Sequence, residues 1–258
     1  MSAPHALAGT ELHVLPRSAN GRQYQLHVAV PPSVAAGRGG RVPVVYLTDP
    51  YWDFPLVYAT LGNLAYDQAA PECLLVGVGY PGEGLDWEAM RVHDLAPVPD
   101  ALHPPSAGEE GGAERFLRAI EHEVLPFVEG RWPVDPARRV IAGSSLGGLF
   151  ALFATFTRPG LFPGVVAVSP AVIWADEWLL GLEERFHAGG GDLDARLFLS
   201  GAAEEWPAFL ASVVRLEARL RGRYPGLDYQ WRLIDGERHS GTKAEGFTRG
   251  LRWVFGGR

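Results

Sequence analysis

The chain has 258 residues, of which 47% are hydrophobic and 21% charged, and its formal net charge is −7. This composition is typical of a folded protein long enough to bury a sizeable core, and it excludes a largely disordered chain. The acidic charge disfavours nucleic acid as a partner, because phosphate binding requires a concentrated basic surface. No apolar run reaches the roughly 18 residues of a membrane span, so we expect no membrane-spanning segment.

The N-terminus and the cysteine content of the chain bear on the compartment in which the protein is expected. The N-terminus shows no basic region followed by an apolar stretch, so we expect no secretory signal. Cys73 is the only cysteine, which excludes an internal disulfide and a cysteine-based metal site. It lies in an apolar run and is predicted to be a small core residue. A reducing cytoplasm is the expected compartment.

Short, β-branched apolar runs predict eight strands. The first two alternate polar and apolar residues around a turn signal at Asn20-Gly21, which predicts an antiparallel hairpin at the sheet edge. The central runs are apolar throughout, as expected of parallel strands that are covered on both faces. The predicted strands are 12–15, 23–30, 42–48, 74–79, 140–142, 165–169, 197–200 and 229–234.

Amphipathic or apolar segments between the later strands predict helices over 114–129, 146–156 and 208–221. Strands that alternate with helices indicate an α/β protein with a mostly parallel central sheet flanked by helices, whose sites lie at the carboxyl ends of the strands. We expect one domain over residues 1–258. An irregular insertion at about 81–112, rich in proline, glycine and acidic residues, is expected beside the active site.

The motif that carries chemistry is Gly143-Ser144-Ser145-Leu146-Gly147, which fits G-x-S-x-G. It lies between a predicted strand and a predicted helix, the context of the nucleophile elbow in the α/β-hydrolase fold. The turn places a serine hydroxyl at a helix N-terminus, where free N–H groups stabilise negative charge. We predict Ser145 as the nucleophile, because only Ser145 has both glycines at the required offsets. The alternative is a serine that merely caps the helix.

In this fold the acid and the histidine follow the serine in that order. Only His187 and His239 come after Ser145. His187 lies in a polar stretch at an expected helix end. His239 follows the last predicted strand, on a loop from which a base reaches the nucleophile, so we predict His239 as the general base.

The acid is expected after the strand 197–200, where Glu204 and Glu205 are adjacent. A carboxylate there would accept the imidazole N–H and stabilise the imidazolium formed during attack. We prefer Glu204; Glu205 is the competing choice and Asp176 a more distant one. A solvated loop without a role for either glutamate also fits the pattern.

The oxyanion of a tetrahedral intermediate requires backbone donors that are already in place. One predicted donor is the N–H of Leu146, directly after the nucleophile. The second is expected on the segment after strand 42–48, which reads Asp49-Pro50-Tyr51-Trp52. Pro50 has no N–H, so Tyr51 is the predicted donor.

At this point the chain resembles the esterase branch of the α/β hydrolases, which includes the enterobactin and salmochelin esterases and the esterase D-like enzymes. The resemblance runs almost from end to end. The segments that carry it are Val44-Val45-Tyr46-Leu47-Thr48-Asp49, Arg91-Val92-His93-Asp94-Leu95-Ala96-Pro97, Gly112-Ala113-Glu114-Arg115-Phe116-Leu117, Leu125-Pro126-Phe127-Val128, Ser145-Leu146-Gly147-Gly148-Leu149-Phe150-Ala151-Leu152 and Val168-Ser169-Pro170-Ala171-Val172-Ile173-Trp174.

The resemblance implies Glu204 as the acid, because residues 201–204 fall where the family often has G-E-L-E, and it places His239 on the family's histidine. Some relatives work with a Ser–His dyad, which leaves the role of the acid open. Three residues depart from the family pattern. Ser144 replaces a histidine, Pro50 replaces a glycine in the oxyanion segment, and Ala96 replaces a threonine.

Two residues are expected to contact the substrate, Arg91 and Trp174. Arg91 lies in the long segment after a strand end and would present its planar fork to an anionic or oxygen-rich ester. The alternative for Arg91 is a structural ion pair with Asp94, three residues further on.

The sequence therefore predicts a serine carboxylic-ester hydrolase (EC 3.1 class) that forms an acyl-enzyme. The resemblance implies that its partner is a small-molecule ester, of which a siderophore-type ester is one candidate. The alternatives are an acyltransferase that uses the same triad and a non-catalytic binding protein on the hydrolase scaffold. No histidine pair or acidic cluster has metal-ligand spacing, so neither a metal nor a cofactor is expected.

Overall fold

The computed structural model describes residues 6–101 and 111–256. In these residues eight strands form one sheet in the order β1-β2-β4-β3-β5-β6-β7-β8. β2 pairs antiparallel with β1 and with β4, and every other neighbouring pair is parallel. The strands are β1 Thr10–Val14, β2 Gln25–Ala29, β3 Val42–Leu47, β4 Leu74–Gly79, β5 Val134–Ser144, β6 Gly164–Val168, β7 Ala195–Ala202 and β8 Leu227–Ile234.

The eight predicted strands are all present, and the first two form the expected antiparallel pair. The main difference is β5, which begins at Val134 instead of residue 140. Val42 pairs with Val134 and Val44 with Arg139, so an irregularity in the register lengthens this strand at its start. Apolar periodicity could not indicate that extension, because residues 135–139 are largely polar.

Helices cover both faces of the sheet. They are α1 Pro32–Ala35, α2 Pro50–Tyr66, α3 Trp87–Leu95, α4 Ala113–Ala119, α5 Leu125–Arg131, α6 Leu146–Thr157, α7 Trp174–Ala188, α8 Pro207–Leu220 and α9 Thr242–Phe255, with a π-type turn at Ile120–Val124 joining α4 to α5. None of the helices in the described residues is long and apolar enough to cross a membrane.

The sheet divides the core into two clusters. On one face, apolar residues of α2 and α9, such as Phe54 and Phe247, pack on Val45, Val166 and other strand residues. On the opposite face, helices α4 to α8 pack on the alternate strand residues, Tyr46 and Val165 among them. Because successive strand residues point to opposite faces, the continuously apolar strands supply both clusters.

Two segments for which no helix was predicted contain helix. Pro50 is the first residue of α2, where its missing N–H leaves no hydrogen bond unmade, so residues 50–52 belong to a helix start. Within the expected insertion, α3 begins after Asp86, whose carboxylate accepts a hydrogen bond from the Ala89 N–H at 3.0 Å. Residues 102–110 of that insertion lie outside the described residues.

Candidate active site

Ser145 lies between the end of β5 and the start of α6. Its backbone has φ 54° and ψ −119°, a conformation that non-glycine residues rarely adopt. Its N–H donates to the Val168 carbonyl and its own carbonyl accepts from the Ala171 N–H, both at 3.0 Å. These two hydrogen bonds fix the turn at the carboxyl edge of the sheet, as a nucleophile elbow requires.

The two glycines of the motif are needed because other chain segments approach them closely. A Cβ on Gly143 would lie 2.4 Å from the carbonyl carbon of Gly147. A Cβ on Gly147 would lie 2.1 Å from Thr48 Oγ1 and 3.2 Å from Asp49 Oδ2. The missing side chains therefore let the segment between β3 and α2 lie directly against the serine turn.

His239 lies on the loop between β8 and α9 and pairs with Glu205. Nδ1 of His239 is 2.6 Å from Glu205 Oε2. Because an ionised carboxylate only accepts hydrogen bonds, this contact places the proton on Nδ1 and leaves Nε2 free to accept another. Among the described residues no hydrogen bond joins His239 to the Ser145 hydroxyl; such contacts often close only with substrate bound.

Glu205 is buried, and its carboxylate is surrounded by hydrogen-bond partners. Its side chain is only 1% exposed. Besides His239, the Ser169 hydroxyl donates to Oε2 at 2.9 Å and the Trp206 N–H donates to Oε1 at 3.2 Å. Ser169 directly follows Val168, the residue that binds the Ser145 N–H. The Glu205–His239 pair therefore lies at the same sheet edge as the serine turn.

The preference for Glu204 as the acid does not agree with this geometry. The Glu204 side chain is 56% exposed, and its nearest charged partner is Arg238 at 3.6 Å. The Glu205 N–H bonds back to the Ala202 carbonyl, which closes a tight turn with Glu204 at its outer corner and Glu205 returned to the interior. The sequence presents two adjacent glutamates, and the direction of each depends on this turn.

The other two candidates for the base and the acid lie away from the pair. His187 is in the last turn of α7, with its ring 5.6 Å from the ring of Tyr224. Asp176 is exposed, on a left-handed stretch near the start of α7.

The two predicted oxyanion donors are at helix starts. Leu146 is the first residue of α6 and Tyr51 the second residue of α2, where N–H groups have no partner within the helix. The Tyr51 hydroxyl accepts from the Tyr80 N–H at 2.8 Å and donates to the Tyr80 carbonyl, which fixes the helix start against β4. The use of these two N–H groups for an oxyanion stays a prediction.

Arg91 is buried and pairs with Asp49, not with Asp94. Its Nε and Nη2 donate to the two carboxylate oxygens of Asp49 at 2.7 and 2.8 Å, and Nη1 donates to Glu88 at 3.1 Å. Asp49 has φ 52° and precedes α2, so this bidentate pair holds a left-handed residue of the oxyanion segment. The buried pair supports the structural alternative for Arg91, with Asp49 in place of Asp94, and its contact with substrate stays a prediction.

Asp94, the partner expected for Arg91, has its own contacts. Its Oδ1 is 3.0 Å from Arg22 Nε and 2.7 Å from His93 Nδ1, and its Oδ2 accepts from the Tyr24 hydroxyl at 3.1 Å. The contacts with Arg22 and Tyr24 join α3 to the segment directly before β2.

Trp174 is buried as well. Its indole N–H donates to the Val98 carbonyl at 2.8 Å, so its contact is with the segment after α3. This contact packs the segment after α3 onto the domain, and a role of Trp174 in substrate binding stays a prediction.

Exposed aromatic side chains lie around the site, and two of them, Trp206 and Trp52, were not predicted as site residues. Trp206, directly after Glu205, is 66% exposed, and its ring centre is 5.6 Å from that of His239. Trp52 and Tyr51 are exposed at the start of α2. Their position four or five residues after strand ends was the available signal, since those ends border the cleft in α/β folds. In the part of the chain described here, no group of three or more His, Cys, Asp or Glu could hold a metal ion.

Comparisons with known proteins show which family and which proteins this chain resembles. The model of the esterase family, described as "Putative esterase", matches residues 18–196. The chain is 37% identical to the siderophore triacetylfusarinine C esterase of Aspergillus fumigatus over 52% of this chain and 46% of that protein. It is 29% identical to the ferri-bacillibactin esterase BesA of Bacillus subtilis over 70% of this chain and 64% of that protein. The chain thus spans less than two thirds of either relative.

A solved structure matches over nearly its whole length. The crystal structure of the BES protein from Bacillus cereus has a TM-score of 0.86 to this chain at 25% identity, with 98% of this chain and 97% of that one covered. With the parallel strands and the serine turn, this match confirms the predicted α/β-hydrolase fold.

Glu205→Gln is expected to lower kcat for a p-nitrophenyl ester by about 100-fold or more, because an amide cannot stabilise the imidazolium. Glu204→Gln is the matched control and should change kcat by less than about two-fold, as expected of an exposed side chain. Steady-state kinetics of both variants test this. A small, equal loss in both would indicate a Ser–His dyad, and a loss confined to Glu204→Gln would contradict the assignment.

Arg91→Lys retains the charge but loses the two-pronged contact with Asp49. We expect the free energy of unfolding to fall by about 1–3 kcal/mol. We also expect kcat/KM to fall by a similar factor for a short neutral ester and a large polyoxygenated ester. Thermal unfolding and kinetics with both esters measure this. A normal melting temperature with a KM rise only for the polyoxygenated ester would instead make Arg91 a substrate-binding residue.

Proposed function

The chain belongs to the esterase family, and from this membership we propose that it is a serine carboxylic-ester hydrolase acting on a siderophore-type ester. The observation that carries the proposal is the strained Ser145 turn at the same sheet edge as the His239–Glu205 pair. A nucleophile, a base and an oriented acid are the parts that acyl transfer through a covalent intermediate requires.

In the proposed reaction, Ser145 Oγ attacks the ester carbonyl while Nε2 of His239 accepts the hydroxyl proton. Glu205 accepts the Nδ1 proton in a hydrogen bond and stabilises the imidazolium. The carbonyl oxygen becomes an oxyanion, for which the N–H groups of Leu146 and Tyr51 are the candidate donors. The C–O bond of the ester then breaks, and the imidazolium gives its proton to the departing alkoxide.

In the second half of the reaction, which hydrolyses the acyl-enzyme, water takes the place of the Ser145 hydroxyl as the attacking group. His239 accepts a proton from water, the resulting hydroxide attacks the acyl carbon, and Ser145 leaves with the proton returned by His239. The products are a carboxylic acid, the free alcohol and the original enzyme, so no cofactor is consumed.

The siderophore-type substrate is proposed because relatives bearing two different siderophore names match this chain. The exposed aromatic rings at the site support a large substrate. Trp206 lies on the histidine side, and Tyr51 and Trp52 lie on the oxyanion side. Exposed aromatic surface binds extended organic molecules with little loss of conformational entropy.

The two alternatives from the sequence, acyl transfer and a non-catalytic scaffold, gain no support from relatives that are named as esterases. We further propose the cytoplasm as the compartment. The one cysteine, Cys73, is free and buried, so the fold does not need an oxidising environment.

The proposal is tested by incubating the enzyme with triacetylfusarinine C, ferri-bacillibactin and p-nitrophenyl butyrate, and by measuring ester cleavage by mass spectrometry or absorbance. We expect cleavage of at least one siderophore with a kcat/KM above that for p-nitrophenyl butyrate. Ser145→Ala should remain folded and lose about 10⁴-fold or more in turnover, because no other hydroxyl can form the acyl-enzyme.

Two results would contradict the proposal. Normal turnover by a folded Ser145→Ala variant would exclude the covalent mechanism. Efficient hydrolysis of p-nitrophenyl butyrate with no cleavage of either siderophore would leave an esterase but remove the proposed substrate class.

A further inference from the structure

Lys243 is the only lysine among the 23 Lys and Arg residues of the chain. It is the second residue of α9 and comes four positions after His239. Its ammonium donates to Asp53 Oδ1 at 2.8 Å and lies 5.3 Å from the centre of the Trp52 ring. An ammonium is a compact point charge with three donors, unlike the flat fork of arginine, and it fits a narrow site between a carboxylate and a ring face.

Asp53 also binds the residue that precedes the nucleophile. The Ser144 hydroxyl donates to Asp53 Oδ2 at 2.8 Å, so each carboxylate oxygen has its own donor. The Asp53 side chain is 1% exposed, and Ser144 is likewise buried. The resulting chain of hydrogen bonds, Lys243 to Asp53 to Ser144, shares no residue with the side-chain hydrogen bonds of Glu205 and Arg91.

These three residues belong to the three segments that the proposed reaction requires. Ser144 adjoins Ser145 at the end of β5. Asp53 is in the first turn of α2, which begins with the oxyanion segment, and Lys243 is in the first turn of α9, directly after the histidine loop. One carboxylate therefore fixes the spacing of the nucleophile turn, the oxyanion segment and the base.

The charge of Lys243 is needed by the buried carboxylate. Burial raises the pKa of Asp53, and nearby Asp49 acts in the same direction. The opposing influences on that pKa come from the charge and hydrogen bond of Lys243 and the hydrogen bond of Ser144. A buried carboxylate that loses its cation is poorly accommodated, so removal of Lys243 would disturb the position of Asp53.

We propose that Lys243 and Asp53 are positioning residues, which set the orientation of Ser145 relative to the loop of His239 through the Ser144 hydroxyl. This inference rests on the proposed role of Ser145 as nucleophile. It assigns Lys243 no contact with the reacting atoms. The expected consequence of breaking the chain of contacts is a loss in the rate of acylation with little change in substrate binding.

The test uses Lys243→Met, Ser144→Ala and the double variant. Ser144→Ala removes one hydroxyl and leaves the Lys243–Asp53 pair, so it remains informative if Lys243→Met folds poorly. The measurements are the second-order rate of Ser145 labelling by a fluorophosphonate probe, the final fraction labelled, kcat and KM for p-nitrophenyl butyrate, and the melting temperature. The final fraction labelled reports how much of the enzyme is competent.

We expect each single variant to slow labelling and kcat by about 10-fold or more, with KM within about three-fold and the labelled fraction near that of wild type. The double variant should be no slower than the slower single variant, because both changes interrupt one chain of contacts. Arg139→Met is the matched control. It breaks a pair with Glu129 in which the Arg139 side chain is also 18% exposed, and it should leave the labelling rate unchanged.

Normal labelling rates in Ser144→Ala and Lys243→Met would overturn the inference. So would losses that match the fall in labelled fraction or that also occur in Arg139→Met, since these indicate a purely structural pair. A rise in KM alone would make Lys243 a substrate-binding residue instead. Wild-type enzyme that labels at Ser145 but cleaves no ester would contradict the proposed function and not the positioning role.

Discussion

The backbone of Ser145 imposes the constraint on which the rest of the site depends. A non-glycine residue at φ 54° and ψ −119° costs about 1–3 kcal/mol, so the surrounding structure must hold it in place. Hydrogen bonds to Val168 and Ala171 hold it from the β6 side. The absence of side chains at Gly143 and Gly147 lets the oxyanion segment approach from the β3 side. The backbone that carries the hydroxyl is therefore held in place before any substrate binds.

Three buried carboxylates surround this turn, and each is held by donors from another segment. Asp49 binds Arg91 of α3, Asp53 binds Lys243 of α9, and Glu205 binds His239 of the β8–α9 loop. The desolvation of a buried carboxylate costs several kcal/mol, which only well-placed donors offset. Each pair consequently couples the position of one loop to that of another. Several parts of the site are thus fixed by charge pairing between segments that are distant in sequence.

The strands and the burial of the central ones were predictable, because alternating and continuous runs of apolar residues are local signals. The elbow was predictable for the same reason: a strand, a glycine-flanked serine and a helix are contiguous at residues 140–156. The helices α2 and α3 were missed. Pro50 and the proline- and glycine-rich residues after Gly79 are typical of loops, and only contacts such as Arg91 with Asp49 show why helices form there.

The sequence by itself determined the fold class and placed Ser145 and His239 after the correct strands, because these depend on patterns within short stretches of chain. Tertiary structure decided which acid faces the histidine and which acid pairs with Arg91. Glu204 and Glu205 are adjacent, and one turn directs the first outward and the second inward. Asp49 and Arg91 are 42 residues apart and Asp53 and Lys243 are 190 residues apart, and such partners meet only when the sheet edge assembles. Side-chain direction and long-range proximity have no local signature in the chain.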